Sequence, residues 1–307
     1  MTSSVPGKWL LLALCALASS VPVAAQTLAE AEGQDQPSGE LVPPTSAIDF
    51  TAAQLDAVLA GSWRSPADRA RDRYRHPKQT LEFFGVRPDQ TVIEITPGAG
   101  WYAAILAPLL RDNGQYVAAV PGPAPGRADE DPLHKLFASD PAVYGKAGIV
   151  TFDPKAPVFG PPGSADTVLT FRNVHNWVMA GTAAAMFKGF FAVLRPGGVL
   201  GVVDHRAADG ASLDAVKASG YLPVATVVKL ATAAGFELDD SSEINANPAD
   251  TKDYPKGVWS LPPTLAMGAT DRAKYLAIGE SDRMTLRFVK PDAPEPAAPR
   301  AKAGSVR

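Results

Sequence analysis

Short runs of apolar residues alternate with longer amphipathic stretches through the middle of the chain. Five of these runs predict strands, at 91–96, 115–120, 148–152, 166–172 and 198–204. Helical periodicity predicts helices at 101–111, 131–144, 182–194 and 224–234. Strands that are apolar on both faces are typical of sheets covered by helices on each side. The pattern therefore predicts an α/β fold with a doubly wound, mostly parallel sheet.

Two further strands are predicted towards the end of this region, at 236–244 and 283–289. No clear crossover helix separates them, so we expect an antiparallel pair at the sheet edge, with the last of seven strands antiparallel. The stretch 245–282 is rich in Pro and Gly and predicts an irregular insertion with a short helix near 271–278. A long insertion in a compact domain is often a lid or a binding loop.

Three helices are predicted ahead of the first strand, at 49–60, 66–75 and 77–84. The second is dense in Asp and Arg, and we interpret its charges as a solvated helical face with local ion pairs. On this interpretation, most of these arginines do not belong to a binding site.

The amino-terminal residues are typical of a secretory signal. Lys8 precedes an apolar run, and Val23-Ala24-Ala25 supplies the small residues of a cleavage site. We expect an exported, periplasmic chain cleaved after Ala25, and no stable membrane insertion because the apolar run is too short. The predicted organisation is a signal peptide at 1–25, a polar linker at 26–47, one domain at 48–290 and a disordered tail at 291–307.

Charge and cysteine content exclude several classes of function. The net charge of the chain is only -3, which argues against nucleic acid as a partner. Cys15 is the one cysteine and lies in the predicted signal, so disulfides and thiolate catalysis are excluded from a mature chain. The oligomeric state has no sequence signal.

A glycine-containing turn joins the first predicted strand to its helix in the sequence VIEITPGAGWY, residues 92–102. Such a turn lets a ligand approach the backbone and directs a helix amino terminus towards it. Downstream, LRPGGVL at 194–200 precedes the fifth strand, and AGF at 234–236 precedes the sixth.

These motifs together resemble the class I methyltransferases that depend on S-adenosylmethionine (SAM), over roughly residues 75–290. The runs RHP, TPGAGWY, FRNVHNW and VVDHRA are similar to exported predicted methyltransferases of Gram-negative bacteria. The resemblance implies a Rossmann-like fold, SAM as the cofactor, and a small molecule or envelope component as the methyl acceptor. The cofactor-binding residues that it implies are Glu94, Thr96, Gly98, Gly100, Tyr102, Asp153 and Asn173.

The chain departs from that family at one expected position. The second strand of these enzymes usually ends in an acid that accepts hydrogen bonds from the ribose hydroxyls. Here the strand ends in VAAVP at 117–121, and the next acidic residue is Asp129. Losing such a charge-assisted hydrogen bond costs about 1.5–3 kcal/mol.

Candidate catalytic residues follow the fourth and fifth strands. His175 and His205 fall at the carboxyl edge of the sheet, where open α/β sheets bind ligands. We predict that His175 is the base that takes a proton from the acceptor, with Asp204-His205 as the second candidate. No metal site is predicted, since His76, His175, His205 and Asp204 lack the helical spacing of metal ligands.

Two other functions remain open from the sequence. A nicotinamide-dependent oxidoreductase would use the same glycine turn, and Tyr74 and Lys78 have a Tyr-x-x-x-Lys spacing, although they precede the turn. A non-catalytic binding protein of the cell envelope that keeps the fold is the other alternative, favoured by the missing ribose acid.

Overall fold

A computed structural model describes residues 47–122 and 132–292 of the chain. The predicted signal peptide, nearly all of the linker and most of the tail lie outside these ranges. Within them, no helix is long and apolar enough to cross a bilayer.

The described chain alternates helices and strands as the sequence pattern predicts. The strands are β1 Thr91–Ile95, β2 Gln115–Pro121, β3 Gly148–Phe152, β4 Ala165–Phe171, β5 Leu194–His205, β6 Glu237–Ser242 and β7 Arg283–Val289. The helices are α1 Ala47–Leu59, α2 Pro66–Arg69, α3 Asp72–Arg75, α4 Pro77–Phe83, α5 Ala103–Leu110, α6 Pro132–Ser139, α7 Pro141–Tyr144, α8 Val174–Ala180, α9 Ala183–Val193, α10 Leu213–Val216, α11 Val224–Ala234 and α12 Arg272–Ile278.

All seven strands form one sheet in the order β3-β2-β1-β4-β5-β7-β6. β7 is antiparallel to both β5 and β6, while the pairs among β1 to β5 are parallel. The predicted fold class and the antiparallel pair at the edge are therefore confirmed. The strand order reverses between β1 and β4, and such a reversal creates a crevice beyond the carboxyl ends of the two strands.

Alternate residues of the strands enter two separate cores. Ile93 and Val168 pack on the side of α8, α9 and α11. Val92 and Leu169 pack on the side of α1, α4 and α5. This alternation explains why the strands read as continuous apolar runs, and it confirms a sheet covered on both faces.

Several predicted boundaries are wrong in detail. The predicted helix 66–75 is two one-turn helices, because Ala70 and Arg71 interrupt it. The predicted helix 131–144 is likewise divided, at Asp140, which caps α7 by accepting hydrogen bonds from Ala142 N and Val143 N. β5 begins at Leu194 rather than at 198, so the LRPGG sequence forms its irregular start.

Candidate active site

The turn after β1 carries three residues in the left-handed region. Thr96 has φ of 53°, Gly98 of 61° and Gly100 of 86°. A Cβ on Gly100 would lie 2.4 Å from Leu136 Cδ2, so the turn requires glycine there. Thr96 stands where the resembled family has its first glycine and adopts the glycine conformation, at a cost of about 1–2 kcal/mol.

A cavity of about 320 Å³ opens beside this turn, within the size range of small-molecule sites. It lies at the crevice between β1 and β4. Six of the seven predicted cofactor-binding residues line it: Glu94, Thr96, Gly98, Gly100, Tyr102 and Asn173. Three arginines that the sequence analysis did not select also line it: Arg71, Arg75 and Arg172.

Asp153, the seventh predicted residue, lies in a different concavity. This one has a volume of about 410 Å³ and is lined by residues at the ends of β2 and β3, namely Gly122, Thr151, Phe152, Asp153 and Pro154. The Asp153 side chain is exposed and accepts a hydrogen bond from Lys155 N at 2.9 Å. Its carboxylate therefore has accessible surface for a ligand.

Glu94 is buried at the base of the cavity. Tyr116 donates a hydrogen bond to its carboxyl group over 2.7 Å. Burial raises the pKa of Glu94 to about 7, against the opposing effects of the Tyr116 hydrogen bond and the Arg75 charge. The group therefore exchanges its proton near neutral pH.

Tyr102 and Asn173 shape the cavity through contacts within the protein. The Tyr102 ring stacks on Phe171 with a centroid distance of 3.6 Å. Asn173 Nδ2 donates to Ile95 O at 2.9 Å and to Thr170 Oγ1 at 3.2 Å. Asn173 thus links the ends of β1 and β4 and fixes the width of the crevice between them.

Four arginines surround one buried glutamate next to the cavity. Glu280 accepts hydrogen bonds from Arg71 Nε at 2.7 Å, Arg75 Nε at 3.0 Å and Arg283 Nη1 at 3.2 Å. Burial opposes ionisation of Glu280, but the charges of the nearby arginines outweigh it and lower its pKa to about 2. Arg172 is the fourth arginine, and its charge interacts with that of Glu280. The predicted solvated face of 66–75 is therefore wrong for Arg75, whose side chain is 3% exposed.

Several polar atoms at the cavity are buried without a hydrogen-bond partner in the described part of the chain. They are Nη2 of Arg71, Nη2 of Arg75 and Oγ1 of Thr96. Burial and the charge of Arg172 lower the pKa of Arg75 to about 10, so its guanidinium stays charged at neutral pH. Unpartnered buried donors are costly, and a bound anion would satisfy them.

The three predicted catalytic residues lie together at the carboxyl edge of the sheet, with His175 in α8 and Asp204 and His205 as the last residues of β5. His175 Nδ1 lies 2.8 Å from Asp204 Oδ1, and Asp204 also accepts from the backbone N–H groups of His175 and His205. His205 Nδ1 lies 2.6 Å from Ser281 Oγ, and the two imidazole rings are 4.9 Å apart. With Nδ1 of His175 donating to the carboxylate, its Nε2 is the basic nitrogen.

The electrostatic environment differs around these residues. Burial, followed by the charges of His175 and Arg172, holds the pKa of His205 well below its ordinary value. His205 is therefore neutral at pH 7. Asp204 is fully buried, and its contact with Nδ1 of His175 fixes the orientation of that imidazole. This arrangement suits a base that receives a proton during a reaction.

A metal ion fits this cluster poorly. His175, Asp204 and His205 each offer a ligand atom within 4.8 Å of the others. However, Asp204 already accepts three N–H donors, and the charges of Arg172, Arg283 and Arg75 reach His205. His76 does not belong to this cluster. These positive charges oppose the binding of a cation.

The insertion between β6 and β7, residues 243–282, lies against the site. Its Trp259 ring is 6.2 Å from the His175 ring, and it supplies both Glu280 and Ser281. The predicted short helix is α12, Arg272–Ile278.

Tyr74 and Lys78 do not form a reductase pair. Lys78 Nζ lies 2.6 Å from Asp56 in an ion pair near the surface. The Tyr74 carbonyl accepts a hydrogen bond from Arg283. These contacts give the Tyr-x-x-x-Lys spacing a structural role.

No protein-family model and no curated protein matches the chain. Among solved structures, the cyclase SpnF is 15% identical, with 81% of this chain and 97% of SpnF covered and a TM-score of 0.52. A putative sarcosine dimethylglycine methyltransferase from Galdieria sulphuraria is 13% identical, with 80% and 99% covered and a TM-score of 0.51. A SAM-dependent methyltransferase from Aquifex aeolicus is 12% identical, with 78% and 98% covered and a TM-score of 0.48.

Likeness at these identities establishes the fold. The chain has the seven-stranded fold of SAM-dependent methyltransferases. Because a cyclase also has this fold, the reaction must be argued from the site.

Proposed function

We propose that the protein is a SAM-dependent methyltransferase. The observation that carries the proposal is the cavity at the β1–β4 crevice, where the glycine turn meets unpartnered donors of Arg71 and Arg75. In sheets of this topology, ligands bind at this crevice. The free guanidinium donors suit a carboxylate, and the methionine part of SAM carries one.

The residues that line the two concavities suit the two ends of SAM. Arg71 and Arg75 would hold the carboxylate, and the backbone at Gly98 is open enough for close approach, since a Cβ there would meet no atom within 4 Å. Asp153, in the concavity at the ends of β2 and β3, would accept from the adenine amine, as the family resemblance implies. When bound, SAM supplies a sulfonium methyl group whose C–S bond breaks as the acceptor bond forms, the sulfur keeping the electron pair.

The histidine cluster supplies the proton acceptor. Nε2 of His175 has no hydrogen-bond partner among the described residues and would take the proton that an acceptor hydroxyl loses as its oxygen is methylated. Asp204 would stabilise the resulting imidazolium, and neutral His205 would remain a hydrogen-bond partner. The proton then leaves to solvent.

The missing ribose acid sets an expectation for affinity. β2 carries no acidic residue along Gln115–Pro121, and Asp153 at the end of the neighbouring β3 is assigned to the adenine amine. We therefore expect SAM to bind about ten- to a hundredfold more weakly than it would with that acid present.

We also propose that the reaction takes place outside the cytoplasm, on an envelope component or a small molecule. The support is the sequence of residues 1–25. Sequencing the amino terminus of the protein from a periplasmic extract tests it, since a start at Gln26 is expected. An uncleaved chain in the cytoplasmic fraction would contradict it.

The experiment that tests the proposed function is calorimetric binding of SAM and S-adenosylhomocysteine to the full chain. Gly98→Arg places a side chain in the cavity, and Gly268→Arg is its matched control. Gly268 has φ of 62° against 61° at Gly98, and a Cβ on either meets nothing within 4 Å. The two variants therefore carry similar backbone strain at exposed positions.

Micromolar binding by wild type and Gly268→Arg, lost in Gly98→Arg, is the expected result. No binding to wild type at millimolar ligand would contradict the proposal. That outcome would favour a non-catalytic envelope protein, whose ligand would be an anion because the cavity is lined by arginines.

A further inference from the structure

We infer that the methyl acceptor carries an anionic group, a carboxylate or a phosphate, which Arg172 binds beside the His175–Asp204 pair. This inference rests on the proposed function and names the substrate class of the same site. It is carried by the position of Arg172, by the charges around it and by the nearby proton acceptor.

Arg172 is held in an uncommon conformation at the cavity. It follows β4 with φ of 62°, and its backbone N donates to Val203 O at 2.7 Å. A left-handed arginine is costly, so the surroundings must impose it. The same turn places Arg172 in the lining of the cavity.

The guanidinium of Arg172 makes no hydrogen bond and no ion pair within ranges 47–122 and 132–292. By contrast, Glu280 pairs with Arg71, Arg75 and Arg283. Burial lowers the pKa of Arg172 to about 10, which leaves it charged at neutral pH. Arg172 is half-buried, and a partly desolvated charge without a partner is less stable than one that pairs with a bound anion.

The charge of the site also favours an anionic acceptor. The four arginines carry four positive charges; Glu280 pairs with three of them, and the charge of Asp204 interacts with that of Arg172. SAM adds a sulfonium and an ammonium charge against one carboxylate, and that carboxylate is matched to Arg71 and Arg75. A neutral acceptor would leave this excess uncompensated, whereas an anionic acceptor would reduce it.

The position of Arg172 joins anion binding to proton transfer. It lies between the cavity and the histidine cluster, and its charge interacts with those of Asp204 and His205. An acceptor whose anionic group pairs with Arg172 would present a nearby hydroxyl towards His175. Carboxylates and phosphates both match the planar donor pattern of a guanidinium.

The test measures anion binding rather than turnover. Acetate and inorganic phosphate are titrated by calorimetry into the protein saturated with S-adenosylhomocysteine, so that Arg71 and Arg75 are already occupied. The variants are Arg172→Gln, which removes the charge, and Arg172→Lys, which keeps it. The control is Arg195→Gln, which removes an exposed arginine that pairs with Asp166 outside the site.

Saturable binding of one anion per chain is expected in wild type and Arg195→Gln. We expect affinity at least tenfold weaker in Arg172→Gln and an intermediate value in Arg172→Lys. Stronger binding of acetate than of phosphate would assign a carboxylate, and the reverse a phosphate. No saturable binding, or equal binding in Arg172→Gln, would overturn the inference while S-adenosylhomocysteine binding upholds the proposed function.

A second variant guards against loss of folding. Arg172→Gly suits the left-handed conformation and removes the unpaired charge, so it should melt at or above the wild-type temperature and still lose the anion. If it melts well below wild type and keeps the anion, Arg172 has only a structural role, and the inference fails. Failure of S-adenosylhomocysteine to bind wild type would instead defeat the proposed function.

Discussion

Glu94 is a buried acid. The family resemblance predicts its position at the cavity but does not predict its protonation. The residue follows a strand pattern, VIEI at 92–95, that gives no sign of the Tyr116 hydrogen bond or of the Arg75 charge. Those contacts come from β2 and α3, which only the folded chain brings together. The local sequence therefore predicts an acid at the cavity but not one that titrates near pH 7.

Glu94 makes stability depend on pH. Its pKa is about 7 when folded against 4.5 as its ordinary value, so the folded state holds the proton more tightly between these values. Stability from this group is therefore lost as pH rises from 4.5 to about 7. At about 1.4 kcal/mol per pH unit, the full loss is roughly 3 kcal/mol.

Glu94→Gln should remove this dependence. Urea unfolding at pH 5 and pH 8 should show the variant gaining roughly 2–3 kcal/mol more relative to wild type at pH 8 than at pH 5. Tyr116→Phe removes a contact that favours the ionised form, so its loss of stability should extend to higher pH. Parallel pH profiles for wild type and Glu94→Gln would contradict this account.

The burial of the arginines at 66–75 could be predicted only in part from the sequence. Charges at 66–75 have the pattern of a solvated helix, and Arg69 and Arg73 are indeed exposed. Arg75 is buried because its partner Glu280 lies 205 residues further along the chain, in the insertion. No local pattern records such a contact. Arg172 was not selected either, although a signal for it exists, because it follows a buried strand at the carboxyl edge that binds ligands.

The stability of the insertion and the stability of α3 should be coupled through Glu280. Glu280→Gln leaves the buried Arg75 and Arg283 and the half-buried Arg71 without their shared anion. Breaking a buried pair by removing one partner costs about 3–5 kcal/mol. The control is Glu243→Gln, which breaks the ion pair between Glu243 and Arg206. The Glu243 side chain is 74% exposed.

Denaturant unfolding of both variants tests this coupling. Glu243→Gln should cost less than about 1 kcal/mol. If Glu280→Gln is equally mild, the arginines do not need Glu280, and the described charge cluster is not a folding constraint.

The sheet was predictable because its strands are apolar along both faces. Ile93 and Val92 enter opposite cores, so the whole run had to be hydrophobic. β6 is the exception, with a largely exposed ELDDSS sequence, and it was recognised through the AGF turn before it. Helix ends were less predictable, because Asp140 and Ala70 interrupt helical periodicity through local backbone contacts.

The net charge of the whole chain does not reveal the positive charge of its candidate site. A net charge of -3 indicates no preference for anions, yet the cavity is lined by three arginines. Two carboxyl residues, Asp68 and Glu94, also line the cavity, and Glu280 beside it pairs with Arg71, Arg75 and Arg283. Composition thus argues against a nucleic-acid surface but does not predict a local anion site.

If the β1–β4 cavity holds SAM by its amino-acid end, through Arg71 and Arg75, its affinity must depend on that end of the ligand. Calorimetry with S-adenosylhomocysteine and with methylthioadenosine, which lacks the carboxylate and the amine, measures this dependence. We expect methylthioadenosine to bind at least tenfold more weakly to wild type, and Arg75→Gln to remove most of the difference. Equal affinity for the two ligands in wild type would contradict this binding mode.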